Sequence, residues 1–340
     1  MTIRPGPRNA ITDVDGIAIG NAEDSALRSG VTVVLPAEPA VAAVDTRGGA
    51  PGTHETDLLN PANLVDRVDA VALSGGSAFG LDAASGVMGW LAERGRGFAV
   101  GSARVPIVPA AIIFDLLNGG RKDWGREPPY RALARRACDA AGADFALGNA
   151  GAGFGAKAGI LKGGLGSASF VTGDGMQVGV VIIANPFGAV TIPGTGSLWA
   201  WALERDTEFG GQPAPRGPIA DGDLDYTVPA PVGGQTTIGV VATNVALTKA
   251  QATRIAIMAQ DGLAMAIRPV HTPLDGDTIF VLSTGRRPLA EPVPLTLARI
   301  GMLAADCVAR AVGRAVFHAE SLGDFPSYRS IHGAALRQGK

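Results

Sequence analysis

The run Gly175 to Asn185, G-M-Q-V-G-V-V-I-I-A-N, constrains the fold more than any other stretch of the chain. A strand with one wet face alternates apolar and polar residues, whereas this one is apolar almost throughout and so is buried on both faces. A second strand-like apolar run, Thr237 to Thr243, follows the turn glycines Gly233 and Gly234. With 340 residues and 46% apolar content, the chain can fill a sizeable core around such strands.

Further strands are read at Ile11 to Gly20, Val31 to Leu35, Ala40 to Asp45, Val68 to Leu73 and Gly97 to Gly101. Helices show where apolar residues recur three and four apart. Leu81, Ala84, Val87, Met88 and Leu91 share one face, and Ala252, Ile255, Ala259, Gly262, Leu263 and Ala266 share another. The second of these opens on a capping box, Thr248 with Gln251. Tyr130 to Ala141 reads as a basic helix and Leu295 to Phe317 as a long Ala-rich one, followed by a polar tail. Val105 to Leu116 contains two prolines, which argue against a central strand and for a short helix beginning after Pro109. Residues 205 to 234, rich in Asp, Pro and Gly, read as an exposed linker.

The net charge of −2, with no block of like charges, excludes nucleic acid and anionic membrane surfaces as partners and leaves a small molecule. No uninterrupted apolar run reaches ~18 residues, and the N-terminus lacks the apolar segment of a secretion signal, so the cytoplasm is the expected compartment. Cys138 and Cys307 have neither pairing nor metal-ligand spacing and read as buried free thiols; no metal and no cofactor is expected. Gly151, Gly153 and Ala156 match a loose dinucleotide fingerprint, but Lys157, Lys162 and further glycines follow in place of a helical apolar face.

Several residue groups carry chemistry. Thr236 begins the strand after the glycine turn; cleavage of the Gln235–Thr236 bond by its own hydroxyl would leave an N-terminal threonine holding nucleophile and base together. Asp275 and Asp277 flank a glycine at the mouth of the strand Thr278 to Ser283 and could orient that threonine. Lys157 and Lys162, in an otherwise uncharged Gly-rich stretch, are candidates to stabilise an oxyanion, as is the amide of Asn185 at its strand end. The turn Gly75-Gly76-Ser77, between a strand and a helix, offers backbone amides for the same purpose. Thr46 to Asp57 packs Gly, Pro, Arg, His and acids together as a candidate functional loop.

The segments L-S-G-G-S-A-F-G-L-D-A-A-S-G-V, V-P-I-V-P-A-A-I-I-F-D, L-K-G-G-L-G-S-A-S, A-N-P-F-G, T-T-I-G-V-V-A-T-N and D-G-D-T-I-F occur in that order. Together they resemble the L-aminopeptidase/D-esterase (DmpA-like) family, and most closely its aminohexanoate-oligomer hydrolase branch, over roughly residues 11 to 320. The resemblance implies a single αββα sandwich, two central sheets flanked by helices, made as one chain and processed into residues 1–235 and 236–340. It implies Thr236 as nucleophile, Asp275 and Asp277 as the acidic pair, Asn185 as the strand-end donor, and Lys162 as the site lysine with Lys157 as competitor. Relatives usually carry Asn or Gly before the nucleophile; here the residue is Gln235.

The implied activity is amide or peptide hydrolysis on short peptides, amino-acid amides or esters, β-peptides or ω-amino-acid oligomers, by a homo-oligomer, commonly a tetramer. An acyl transferase of the ornithine-acetyltransferase type, or a binding protein of the same fold that never cleaves, are the alternatives.

Overall fold

The structure, a computed structural model, describes residues 2–215, 217 and 234–337, with side chains described as far as Gly333. In chain order its strands are β1 (Ile3–Arg4), β2 (Ile17–Asp24), β3 (Ser29–Pro36), β4 (Ala40–Thr46), β5 (Thr53–His54), β6 (Arg67–Val68), β7 (Val71–Ser74), β8 (Phe98–Val100) and β9 (Ala103–Val105). They continue as β10 (Ala110–Ile112), β11 (Lys157–Ala158), β12 (Leu161–Lys162), β13 (Gly164–Thr172), β14 (Gln177–Asn185), β15 (Thr236–Val245) and β16 (Thr278–Arg287). The helices are α1 (Asp82–Ala92), α2 (Tyr130–Asp139), α3 (Lys249–Ala266), α4 (Val293–His318) and α5 (Tyr328–Arg337).

A seven-stranded sheet runs β1-β13-β14-β15-β16-β4-β6, and a five-stranded sheet runs β2-β3-β7-β10-β5. Within the larger sheet only β15 and β16 pair in parallel, and α3 supplies the crossover that such a pair requires. The side chains of β14 sort by parity, as a doubly buried strand must. Val178, Val180, Ile182 and Ala184 pack with α3 and α4, while Val181 and Ile183 pack between the two sheets. β15 does the same, with Val241 and Val245 on the helix side and Ile238, Val240 and Ala242 between the sheets. A third cluster joins the smaller sheet to α1 and α2 through Val31, Ala72, Val87 and Leu133. The layers are therefore helix, sheet, sheet, helix, as the resemblance implies.

The structure departs from the sequence reading in five places. The expected single strand Val68 to Leu73 is two, β6 on the edge of the larger sheet and β7 inside the smaller one, the chain crossing between sheets at Asp69-Ala70. The expected strand from Ile11 begins only at Ile17, because Ile11–Asp13 closes a 3-10 turn whose Asp13 carboxylate accepts the Ala10 N–H at 3.1 Å. The short helix expected after Pro109 is the interior strand β10. Its prolines precede it, and the Pro109 carbonyl accepts the Ala72 N–H, so the missing proline donor costs the ladder nothing. The opening of the expected linker is anchored: Phe209 is fully buried, and Glu208 accepts the buried Arg310 at 2.6 Å. The rest of that linker, residues 216 and 218–233, lies outside the described residues. The polar tail contains α5, with Tyr328 buried at its start. Both cysteines are free and buried, and no helix among the described residues is long and apolar enough to cross a membrane.

Candidate active site

Strand direction gathers the site. β15 and β16 are parallel with Ile238 opposite Thr278, so the entrance of β15, Gln235-Thr236, and the residues just before β16, Asp275-Gly276-Asp277, lie side by side at one end of the sheet. β14 runs the other way and delivers Asn185, its last residue, opposite Thr236. Each of these five polar side chains is nearly or wholly buried.

The Thr236 hydroxyl donates to the carbonyl oxygen of Gln235, the group on the acyl side of its own peptide bond. That same oxygen accepts the Gly276 N–H at 3.1 Å. A Cβ on Gly276 would stand 2.9 Å from the Thr236 hydroxyl and 2.7 Å from the Ala50 carbonyl oxygen, so only glycine allows this approach. The carboxylates on either side bind backbone. Asp277 Oδ1 accepts the Thr237 N–H at 2.7 Å, while its Oδ2 accepts both the His271 N–H at 3.1 Å and the His271 ring Nδ1 at 2.8 Å. Asp275 accepts the Phe187 N–H at 3.0 Å and the Thr272 hydroxyl at 2.5 Å. Burial, and then the neighbouring Asp277 charge, raise the Asp275 pKa above the ordinary carboxylate value against the pull of those bonds. The loop Thr46 to Asp57 holds this turn from outside, its Ala50 N–H donating to the Asp275 carbonyl at 2.8 Å and Arg47 N–H to that of Asp277 at 3.0 Å.

Beside Gln235 opens a narrow cleft lined by Phe114, Asp115, Asn118, Lys157, Asn185 and Gln235. Asn185 Oδ1 accepts the Lys157 N–H at 2.9 Å, which fixes the amide orientation and leaves Nδ2 with a long 3.4 Å contact to the Phe114 carbonyl. The Lys157 ammonium sits over the Phe325 ring, and burial lowers its pKa. Lys162, paired with Lys157 across the β11–β12 ribbon, is not in the cleft wall. Its ammonium is fully enclosed and donates to the Gly163 and Gly153 carbonyls at 2.8 and 3.1 Å; burial pulls its pKa down to about 7.

The Gly75-Gly76-Ser77 amides are already committed, which corrects the expectation that they face an oxyanion. Gly75 N–H donates to the Gly30 carbonyl, Gly76 N–H to Asp115 at 2.8 Å, and Ser77 N–H to the Ile113 carbonyl. The Gly76 amide shapes the cleft by fixing Asp115, a buried carboxyl whose pKa is raised by desolvation. Among the described residues no cluster of three or more His, Cys, Asp or Glu could hold a metal ion.

Sequence reasoning missed three contributors. His271 and Thr272 stand six and three residues before the acids they bind, a spacing visible in V-H-T-P-L-D-G-D. Asp115 was hidden in the apolar segment after Pro109 that reads as a short helix, with no local signal of its position.

The arrangement meets known proteins on several lines. An uncharacterised aminopeptidase of Mycobacterium tuberculosis is 47% identical over 351 residues, covering 96% of this chain and 99% of that one. A 6-aminohexanoate-oligomer endohydrolase of Kocuria sp. is 30% identical over 279 residues, 80% of this chain and 74% of the relative. Two solved structures share the fold: a Burkholderia sp. β-aminopeptidase, with TM-score 0.74 and 22% identity over 99% of this chain and 96% of that one, and the L-aminopeptidase D-Ala-esterase/amidase of Ochrobactrum anthropi, with TM-score 0.72 and 23% identity over 100% and 96%. The latter is described as a variant of the Ntn hydrolase fold. Residues 9–327, which include every residue of the site just described, match peptidase family S58, and the chain belongs to that family, the L-aminopeptidase/D-esterase group whose motifs its sequence carries.

Proposed function

We propose that the chain cuts itself between Gln235 and Thr236 and then hydrolyses amide bonds with the freed Thr236. The observation that carries this is the Gln235 carbonyl, which has its oxygen held by the Gly276 N–H and the Thr236 hydroxyl against it. In the first stage Thr236 Oγ attacks that carbonyl carbon, its proton passes to the departing nitrogen, and the peptide becomes an ester that water hydrolyses. Gln235 then ends the large chain in a carboxylate, and Thr236 begins the small one. In the second stage the Thr236 amine takes the hydroxyl proton, Oγ attacks a substrate amide to form an acyl-enzyme, the amine product leaves with the proton, and water releases the acid.

The Gly276 N–H, Asn185 Nδ2 and the Lys157 ammonium are the donors suited to the oxyanion, in place of the committed Gly75–Ser77 amides. Asp275 and Asp277 orient the Thr236 end of β15. Relatives named as an aminopeptidase and as a hydrolase of 6-aminohexanoate oligomers support a substrate with a free amine on its acyl side: a short peptide, an amino-acid amide, or an ω-amino-acid oligomer. A narrow cleft favours small acyl groups.

Denaturing electrophoresis with N-terminal sequencing tests the first stage. Two chains are expected, the smaller beginning at Thr236; Thr236→Ala stays full-length and turns over none of a panel of amino-acid and aminohexanoyl p-nitroanilides. Turnover by an uncut chain would sink the mechanism.

A further inference from the structure

Asp277 is about 1% exposed, so the orientation of its carboxylate depends on the hydrogen bonds it makes with the protein. Of the three N–H groups it accepts, two come from His271, both onto Oδ2. The third, Thr237 N–H onto Oδ1, is the amide next to the cleaved bond. His271 achieves its double contact with a backbone φ of +56°, a left-handed conformation costly for a residue with a side chain. Such strain persists where surrounding structure requires it, and here it brings the backbone N–H and the ring of one residue onto one carboxylate oxygen.

We infer that His271 is a positioning residue for self-cleavage: its ring locks Asp277 so that Oδ1 holds the Thr237 amide and thereby sets Thr236 against the Gln235 carbonyl. The chain of contacts is continuous, from the His271 ring through Asp277 and Thr237 to the nucleophile, and His271 itself lies outside the cleft wall. Since a carboxylate only accepts, Nδ1 must carry a hydrogen whether the ring is neutral or charged. Without the ring N–H, Asp277 keeps two donors and the fold stands, but the carboxylate can rotate. The inference rests on the self-cleavage proposed above.

The test follows newly synthesised chain as it converts to two chains. Asn at position 271 places an amide N–H where Nδ1 stands and tolerates positive φ; Gly tolerates the conformation better still but offers only the backbone N–H. His271→Gly is expected to slow conversion about tenfold to a hundredfold, the usual range for loss of a residue that orients a catalytic group, and His271→Asn to recover most of that rate. A Gly variant as fast as the parent, or an Asn variant as slow as Gly, overturns the inference by showing that the ring's donor does nothing. Nitrogen NMR of the parent provides a check without any substitution: a neutral His271 with its hydrogen on Nε2 overturns it as well. An uncut parent chain would instead defeat the self-cleavage reading itself, so the two failures are distinguishable.

Discussion

Lys162 shows how the fold treats a charge it encloses completely. Its ammonium has exchanged water for two carbonyl oxygens, and burial brings its pKa down to about 7, against the weaker opposing pull of Asp115. A lysine in the unfolded chain titrates near 10.4. Between these values the unfolded state binds more protons than the folded one, so stability rises with pH across that window and the burial penalty is greatest at and below neutrality. From pH 7 to pH 9 the gain from this one group is about 2 kcal/mol. Lys162→Met keeps the length of the side chain and removes the charge. Urea unfolding at both pH values is expected to show a rise for the parent that the variant lacks by that amount. Equal pH slopes for the two proteins would mean that the ammonium is not confined as described. Lys157 does not share this behaviour to the same degree, being half-buried and open to the cleft.

Between elements, the helices seat on their sheets through bare backbone. A Cβ on Gly166 of β13 would lie 1.9 Å from the Ala311 carbonyl oxygen of α4, and one on Gly20 of β2 would lie 1.8 Å from that of Ala137 in α2. Backbone cannot yield as a side-chain tip can. Gly166→Ala must lift α4 from the sheet, at a cost of about 1–3 kcal/mol, the range for overpacking a tight interior. Gly142, with nothing within 4 Å and no positive φ, is the matched control, and its alanine variant should melt within a degree or two of the parent. Comparable melting of the two variants would show that the notch has slack. These notches explain part of what was legible in the sequence. The periodicities of α1 and α3, the Thr248–Gln251 capping box and the doubly apolar β14 all appear as read, because each is written in neighbouring residues. The three-residue strand β10 was not, since so short a run has no period to detect. At the site, the acids and Asn185 could be singled out, but tertiary placement alone decides that Asn185 faces Thr236 and that Lys157 and not Lys162 lines the cleft, while the local His271–Asp277 contact depends on how the loop before β16 folds back.

On the scale of the whole molecule, the proposed cut falls where separation is hardest. Residues 236–340 would own β15 and β16, which sit together in the middle of the seven-stranded sheet. On one side β15 pairs with β14 along eight residue positions, and on the other β16 pairs with β4 along six, both partners belonging to residues 1–235. The core repeats this interleaving: Ile300, Val308 and Val312 of α4 share one cluster with Phe170, Val178 and Val180, and Ile238 and Phe280 share another with Val71 and Leu165. Pulling the pieces apart would expose two sheet edges and split two of the three apolar clusters, leaving whole only the one that joins the smaller sheet to α1 and α2. Cleavage should therefore change the covalent chain without releasing a subunit. The processed protein is expected to run as one species in native size-exclusion chromatography and to unfold in a single transition that coincides by fluorescence and circular dichroism. Its two chains should part only in denaturant. A processed sample that resolves into separate folded fragments, or that melts in two steps at different temperatures, would show that the pieces are independent domains and that the shared sheet is not what holds Thr236 between its acids.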